Sequence, residues 1–126
     1  MMSNKELVSV IMSAYNSQNT IEKSINSLLV QTYKNIEILI IDDGSNDKTL
    51  KSIMKFQNEP NIKIFENKKN IGLTKSLNKL IKISNGKYIA RQDSDDISSP
   101  NRLMKQVEDI KKYDLDFSSS RGYIEN

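Results

Sequence analysis

Three aspartates fall within four positions, Asp93, Asp95 and Asp96, in the stretch "ARQDSDDISSP" from Ala90 to Pro100. Two carboxylates about 4 Å apart repel by roughly 4 kcal/mol at an effective dielectric near 20, so such a cluster is either fully solvated or the resting place of a cation. The rest of the composition narrows the choice of ion. The 126 residues include no cysteine and no histidine, which excludes thiol nucleophiles, imidazole catalysis and structural zinc. An all-oxygen site suits Mg²⁺ or Mn²⁺ better than zinc or copper.

Two other polar stretches carry residues that complement a cation, "SAYN" (Ser13 to Asn16) and "DDGSND" (Asp42 to Asp47). Ser13 and Tyr15 offer a hydroxyl and an aromatic face suited to a planar base. Asp42 and Asp43 add acceptors for a base N–H or ribose hydroxyls, while Gly44 permits a sharp turn and Ser45 or Asn46 can cap a following helix. A divalent ion among the later acids would let a diphosphate lie beside carboxylates. Taken one at a time, these stretches also have plain structural readings: a turn and helix cap, a solvated acidic loop, a half-buried aromatic. Their order along the chain separates the two accounts.

Each polar stretch follows an apolar run with strand character. Leu7 to Met12 ("LVSVIM") is short and β-branched; Ile36 to Ile41 ("IEILII") is almost wholly apolar, as in a strand covered on both faces; Ile62 to Phe65 and Tyr88 to Ala90 are shorter. Helical stripes lie between them. Ile21, Ile25, Leu28 and Leu29 mark one helix within Thr20 to Gln31, with Asn19 or Thr20 as its cap. A second is expected over about Asp47 to Gln57, and a third over Leu73 to Ile83 with Gly72 in the turn before it and Gly86 as its C-terminal cap. Pro100 is expected in the first turn of a fourth helix bearing Leu103, Val107 and Ile110. Leu115 to Phe117 would begin a fifth strand. Alternation of this kind predicts an α/β fold with a mostly parallel sheet flanked by helices, in one domain spanning residues 1–126. All loops that follow strands then emerge at one carboxyl edge, where open α/β sheets bind ligands.

Composition removes several function classes. The formal net charge is +3, from 19 basic and 16 acidic residues, and the basic residues are scattered rather than gathered in a stripe, so nucleic acid is not the expected partner. No signal-peptide pattern or apolar run of about 18 residues is present, which points to a cytoplasmic location, at most at the inner face of the membrane. Tyr15 to Thr20 contain no glycine, so the dinucleotide-binding Gly-x-Gly-x-x-Gly turn is missing; the phosphate-binding Gly-x-x-x-x-Gly-Lys-Ser/Thr loop is missing as well. A non-catalytic nucleotide- or cation-binding interaction module is the alternative to an enzyme.

"VSVIMSAYN" (Val8 to Asn16), "IEILIIDDGSNDKT" (Ile36 to Thr49), "NIGLTKSLN" (Asn70 to Asn78) and "GKYIARQDSDD" (Gly86 to Asp96) together resemble the ordered motifs of the family-2 glycosyltransferases, which have the Rossmann-like GT-A fold. The resemblance implies that Ser13, Ala14 and Tyr15 border the base of a nucleotide-sugar donor, that Asp43 contacts that base and that Asp42 supports the same pocket. Asp93 and Asp95 match the family's Asp-x-Asp element, in which the first carboxylate faces the ribose and the second ligates Mn²⁺ or Mg²⁺, with Asp96 as an outer support. The implied reaction is metal-dependent transfer from a nucleotide diphosphate sugar, expected to be a UDP-sugar, to an acceptor hydroxyl of a glycan or lipid-linked acceptor, with inversion, in cell-surface polysaccharide or glycoconjugate synthesis. The acidic general base that this reaction needs has no counterpart among the acids of Glu108 to Asp116 or at Glu125, and is expected beyond Asn126. On that reading the fold is incomplete at its C-terminus, the acceptor-side half is absent, and uncovered strand edges favour homo-oligomers; peripheral membrane association is expected of the full-length protein, through parts outside residues 1–126.

Overall fold

The computed structural model describes residues 5–116 and 118. Eight elements alternate: β1 (Val8–Ala14), α1 (Ile21–Leu29), β2 (Ile36–Asp43), α2 (Thr49–Met54), β3 (Ile62–Asn67), α3 (Leu73–Ile83), β4 (Tyr88–Arg91) and α4 (Arg102–Tyr113). The strands form one sheet in the order β3-β2-β1-β4, and all three pairings are parallel. β2 is buried along its whole length, which is why its sequence does not alternate.

The period-two geometry of the strands divides the core into two layers. Val10, Met12, Ile38 and Ile40 face α1, α2 and α4, meeting Ile25, Leu28, Ile53 and Leu103. Ile11, Leu39 and Ile41 face the opposite way onto Leu77 and Leu80 of α3. Burying a side chain of this size stabilises by about 1.5–3 kcal/mol. Consequently the odd-numbered residues at the ends of β1 and β2 lie on the α3 side and the even-numbered ones on the other. Ser13 and Asp43 share a face; Ala14 and Asp42 share the opposite one.

The strands run further than their apolar runs. β1 extends to Ala14 and β2 to Asp43 because Ala14 pairs with Asp42, and Asp43 with Asn67, in the sheet ladder. The helix ends depart from expectation more. Thr20 makes no capping bond; its hydroxyl donates instead to the Ser94 carbonyl at 3.0 Å. α2 starts at Thr49, where the Asp47 carboxylate accepts from the Thr49 N–H at 2.9 Å and the Thr49 hydroxyl at 2.5 Å, replacing the expected caps Ser45 and Asn46. Gly86 is not the cap of α3, whose last turn passes into extended backbone at Ser84. A Cβ at Gly86 would lie 2.6 Å from the Ser9 backbone nitrogen, so close strand contact requires the glycine. Pro100 precedes α4 rather than opening it, and its carbonyl accepts from the Thr32 N–H at 2.8 Å. Leu115 and Asp116 lie in no strand, and Phe117, the rest of the expected fifth strand, falls outside the described residues, as does Glu125.

Candidate functional site

The strand order reverses between β1 and β4. From β1 the chain moves outward to β2 and β3, then crosses back to the other side. At such a switch point the loops after the two neighbouring strands diverge and leave a crevice outside the carboxyl edge. A cleft of about 750 Å³ opens there, lined by residues from four separate parts of the chain, three of them at strand ends: Ser13 near the end of β1 with Tyr15 and Asn16 just after it, Asp43 at the end of β2, and Asp93, Ser94 and Asp95 after β4. Gly72 and Leu73, at the start of α3, close one side. A second hollow of about 370 Å³, beside β3, contains none of the candidate binding or metal-ligating residues.

Hydrogen bonds and close backbone contact tie the β1 and β2 loops together. Asn16 has a left-handed backbone (φ 48°), and in that conformation its N–H donates to Ser45 Oγ at 2.9 Å while its side-chain oxygen accepts from the Asn46 N–H at 2.8 Å. Gly44 (φ 70°) passes so near the Lys69–Asn70 backbone that a Cβ would lie 2.5 Å from it. Tyr15 is left 45 % exposed on the cleft wall.

Asp43 is 2 % exposed. One of its oxygens accepts from Asn67 Nδ2 at 3.0 Å and the Ile71 N–H at 2.8 Å, and the other from the Gly72 N–H at 3.0 Å. A carboxylate has about four acceptor positions, so one is left without a partner among the described residues, and Asp43 is among the residues that line the cleft. The two backbone donors precede α3, where negative charge is also favoured by the helix dipole. Asp42 and Ala14 do not line the cleft. Ala14 is fully buried in the core. Asp42 is 3 % exposed on the opposite face of β2, one oxygen accepting from the Ser45 N–H at 3.3 Å and the other without a partner among the described residues.

The acidic loop is of a different kind. Asp93, Asp95 and Asp96 are all exposed, and one carboxylate oxygen from each lies within 4.8 Å of the others. Arg91 pairs with Asp93, its Nε 3.1 Å and its Nη2 3.0 Å from the same oxygen. The carboxylates of Asp95 and Asp96 accept no hydrogen bond from the described residues. A set of three close, mostly unneutralised oxygen donors fits a hard divalent ion.

A model of the family described as "Glycosyl transferase family 2" matches residues 9–126. The chain belongs to this family. Among curated relatives it is 42 % identical over 120 residues to the Escherichia coli UDP-Glc:alpha-D-GlcNAc-diphosphoundecaprenol beta-1,3-glucosyltransferase WfaP, covering 95 % of this chain and 47 % of the relative. Among solved structures, Staphylococcus aureus TarS 1-349 in complex with UDP-GlcNAc superposes with a TM-score of 0.78 at 31 % identity, over 85 % of this chain and 32 % of that one. The mannosyltransferase PcManGT of Pyrobaculum calidifontis, in complex with GDP-Man and Mn²⁺, shares the fold with a TM-score of 0.78 at 21 % identity, over 86 % of this chain and 33 % of that one. The four-stranded parallel sheet with its helices is thus that of the GT-A glycosyltransferases. The chain spans about an eighth to a half of the length of the curated relatives it matches. Among the described residues no helix is long and apolar enough to cross a membrane.

Several polar residues that hold this family-2 site together escape a reading by motif. Gln31 is buried and donates to the Ser99 carbonyl at 2.7 Å while accepting from the Leu103 N–H at 3.1 Å, so it ties the end of the acidic loop and the start of α4 to α1. Arg102 donates to the Arg91 carbonyl at 2.9 Å and to Ser98 Oγ at 2.9 Å. Burial pushes its guanidinium below the ordinary arginine value, partly countered by the charge of Asp96. In the sequence these are unremarkable residues of helical segments. Only a sign of burial, which a single polar letter does not carry, would have found them.

Proposed function

We propose that this chain is the donor-binding part of a metal-dependent, inverting glycosyltransferase that uses a nucleotide diphosphate sugar, a UDP-sugar in the first instance. The observation that carries the reading is the meeting of Tyr15, Asp43 and Asp95 in one cleft, although 28 and 52 residues separate them in turn. Tyr15 and Ser13 border the base, and the remaining acceptor position of Asp43 takes a base N–H. Asp93, steadied by Arg91, faces the ribose, while Asp95, with Asp93, holds Mn²⁺ or Mg²⁺. When bound, such an ion supplies the positive charge that a departing diphosphate needs. Ala14 and Asp42 act from behind, Ala14 by packing under the β1 end and Asp42 by bracing the Gly44–Ser45 turn. The UDP-GlcNAc complex of TarS supports a uridine donor, and the name of WfaP supports a lipid-linked acceptor in surface-glycan synthesis. We place the general base in sequence beyond residues 1–126, which act as one donor-binding domain; the greater length of the relatives supports this. The same reading has the whole protein working from the cytoplasmic side.

Titration with UDP in the presence and absence of Mn²⁺ tests it. UDP affinity should rise with Mn²⁺, and Asp95→Asn should remove that rise while leaving the fold intact. NAD should not bind. A chain indifferent to UDP under both conditions would leave only an interaction module.

A further inference from the structure

Between the exposed Arg91 and the exposed acids sits Gln92, which is 2 % exposed. Its backbone N–H donates to the Ile11 carbonyl at 3.1 Å, placing the side chain directly under the loop. The amide nitrogen reaches the Ser24 carbonyl at 3.0 Å, Ser24 Oγ at 2.9 Å, Ser27 Oγ at 3.3 Å and the Asp96 carbonyl at 3.3 Å. The amide oxygen accepts from the Ser98 hydroxyl and from Arg102 Nη1 at 3.2 Å. One uncharged side chain therefore joins α1, the middle and exit of the acidic loop, and the start of α4.

The loop's carbonyls complete the pattern. Those of Asp93, Ser94 and Asp96 accept from Ser24 Oγ at 3.2 Å, Thr20 Oγ1 at 3.0 Å and Gln92 respectively. With the backbone oxygens drawn inward onto α1 and Gln92, the three carboxylates are left outward and within 4.8 Å of one another. Their mutual repulsion favours spreading. A loop held only at its ends would relieve it by moving apart, and an ion would then have to gather its ligands at a cost in affinity.

We infer that Gln92 is a positioning residue that sets the cation affinity of the Asp93–Asp95–Asp96 loop without touching the ion. This rests on the proposed metal role of that loop. Gln92→Leu keeps the bulk and removes every polar contact; Ser24→Ala removes one hydroxyl from the same network and is the gentler probe if the first variant does not fold. Mn²⁺ is titrated into the UDP-saturated chain, and UDP is titrated separately without metal. Loss of ligand support of this kind costs about 10–100-fold in metal affinity. We expect about 10-fold weaker Mn²⁺ binding for Gln92→Leu and about 3-fold for Ser24→Ala, with metal-free UDP affinity reduced by no more than about 2-fold, since the β1 and β2 loops hold the base and only the Asp93 contact with the ribose belongs to this loop. A purely structural role would lower the melting temperature and leave Mn²⁺ affinity where it was, and that result in a folded variant overturns the inference. If the unmodified chain shows no Mn²⁺-dependent gain for UDP, the metal reading itself falls, and the inference with it.

Discussion

The two walls of the cleft manage negative charge in opposite ways. On the β2 side Asp43 is buried and accepts three hydrogen bonds; on the β4 side three carboxylates stand exposed, with only Asp93 paired. The first arrangement is complete as a piece of protein, because hydrogen bonds to a buried carboxylate replace the water it gave up. The second is incomplete, because Asp95 and Asp96 accept no hydrogen bond among the described residues and only the Arg91 pair with Asp93 and the charge of Arg102 near Asp96 offset the repulsion. One acid is therefore largely committed to the fold, while the other group keeps acceptor positions open, as the proposed metal role requires. Acidity alone does not mark function; the state of the acceptor positions does.

The contrast depends on a rigid sheet between the two walls. Ile40→Asp buries an unpaired carboxylate in the core layer under α1, and the cost of several kcal/mol is comparable with the whole stability of a small domain. It should unfold the chain, seen as loss of the cooperative transition in circular dichroism; a folded variant would mean that the sheet is looser than its burial indicates. Asp43→Ala is next. It strands the Ile71 and Gly72 N–H groups and should cost about 2–4 kcal/mol in urea denaturation without nucleotide. Asp95→Asn should behave in the reverse manner, with stability unchanged or slightly raised and the Mn²⁺-dependent gain in UDP affinity gone. If Asp43→Ala proved as stable as the parent, or Asp95→Asn as damaging as Ile40→Asp, the two walls would not differ in kind.

A buried acid far from the cleft gives the smallest test. Glu37 accepts from the Ser9 hydroxyl at 2.5 Å and the Asn85 N–H at 2.7 Å, with Lys63 3.5 Å away. Burial pushes its carboxyl up, but the bonds from Asn85 and Ser9 outweigh that, and the net position is below the ordinary glutamate value of 4.5. Its contribution to stability is thus fully present above about pH 4.5 and is lost as the pH falls through the lower folded value. Glu37→Gln should cost about 1–2 kcal/mol at neutral pH, with the gap to the parent narrowing toward pH 3 in a series of denaturation curves. A gap independent of pH would assign the effect to shape, not charge.

Much of this was legible before any coordinates. The apolar runs and stripes located all eight elements, and α3 spans the residues its stripe marked, Leu73–Ile83. The cleft residues Ser13, Tyr15, Asp43, Asp93 and Asp95 were legible too, because strand order carries loops to a common edge whatever the details of packing. The caps were not. Thr20, Ser45, Asn46 and Gly86 all have the right chemistry for local roles, yet the hydroxyl of Thr20 and the backbone of Gly86 are committed to partners more than 70 residues away. Local rules rank local partners only.

Periodic apolarity was thus enough to determine a parallel α/β sheet, and the absence of cysteine and histidine to restrict the side-chain donors for any ion to oxygen, since both follow from the residue types and their spacing alone. What only the tertiary structure decided is which polar groups are already satisfied: Asp43 by the approach to α3, Asp42 in part by a turn, Gln92 by two helices and a loop. Hydrogen bonding is directional and short-ranged, so a group's capacity to take up a ligand depends on neighbours that folding brings to within about 3 Å. No feature of the linear chain records that distance.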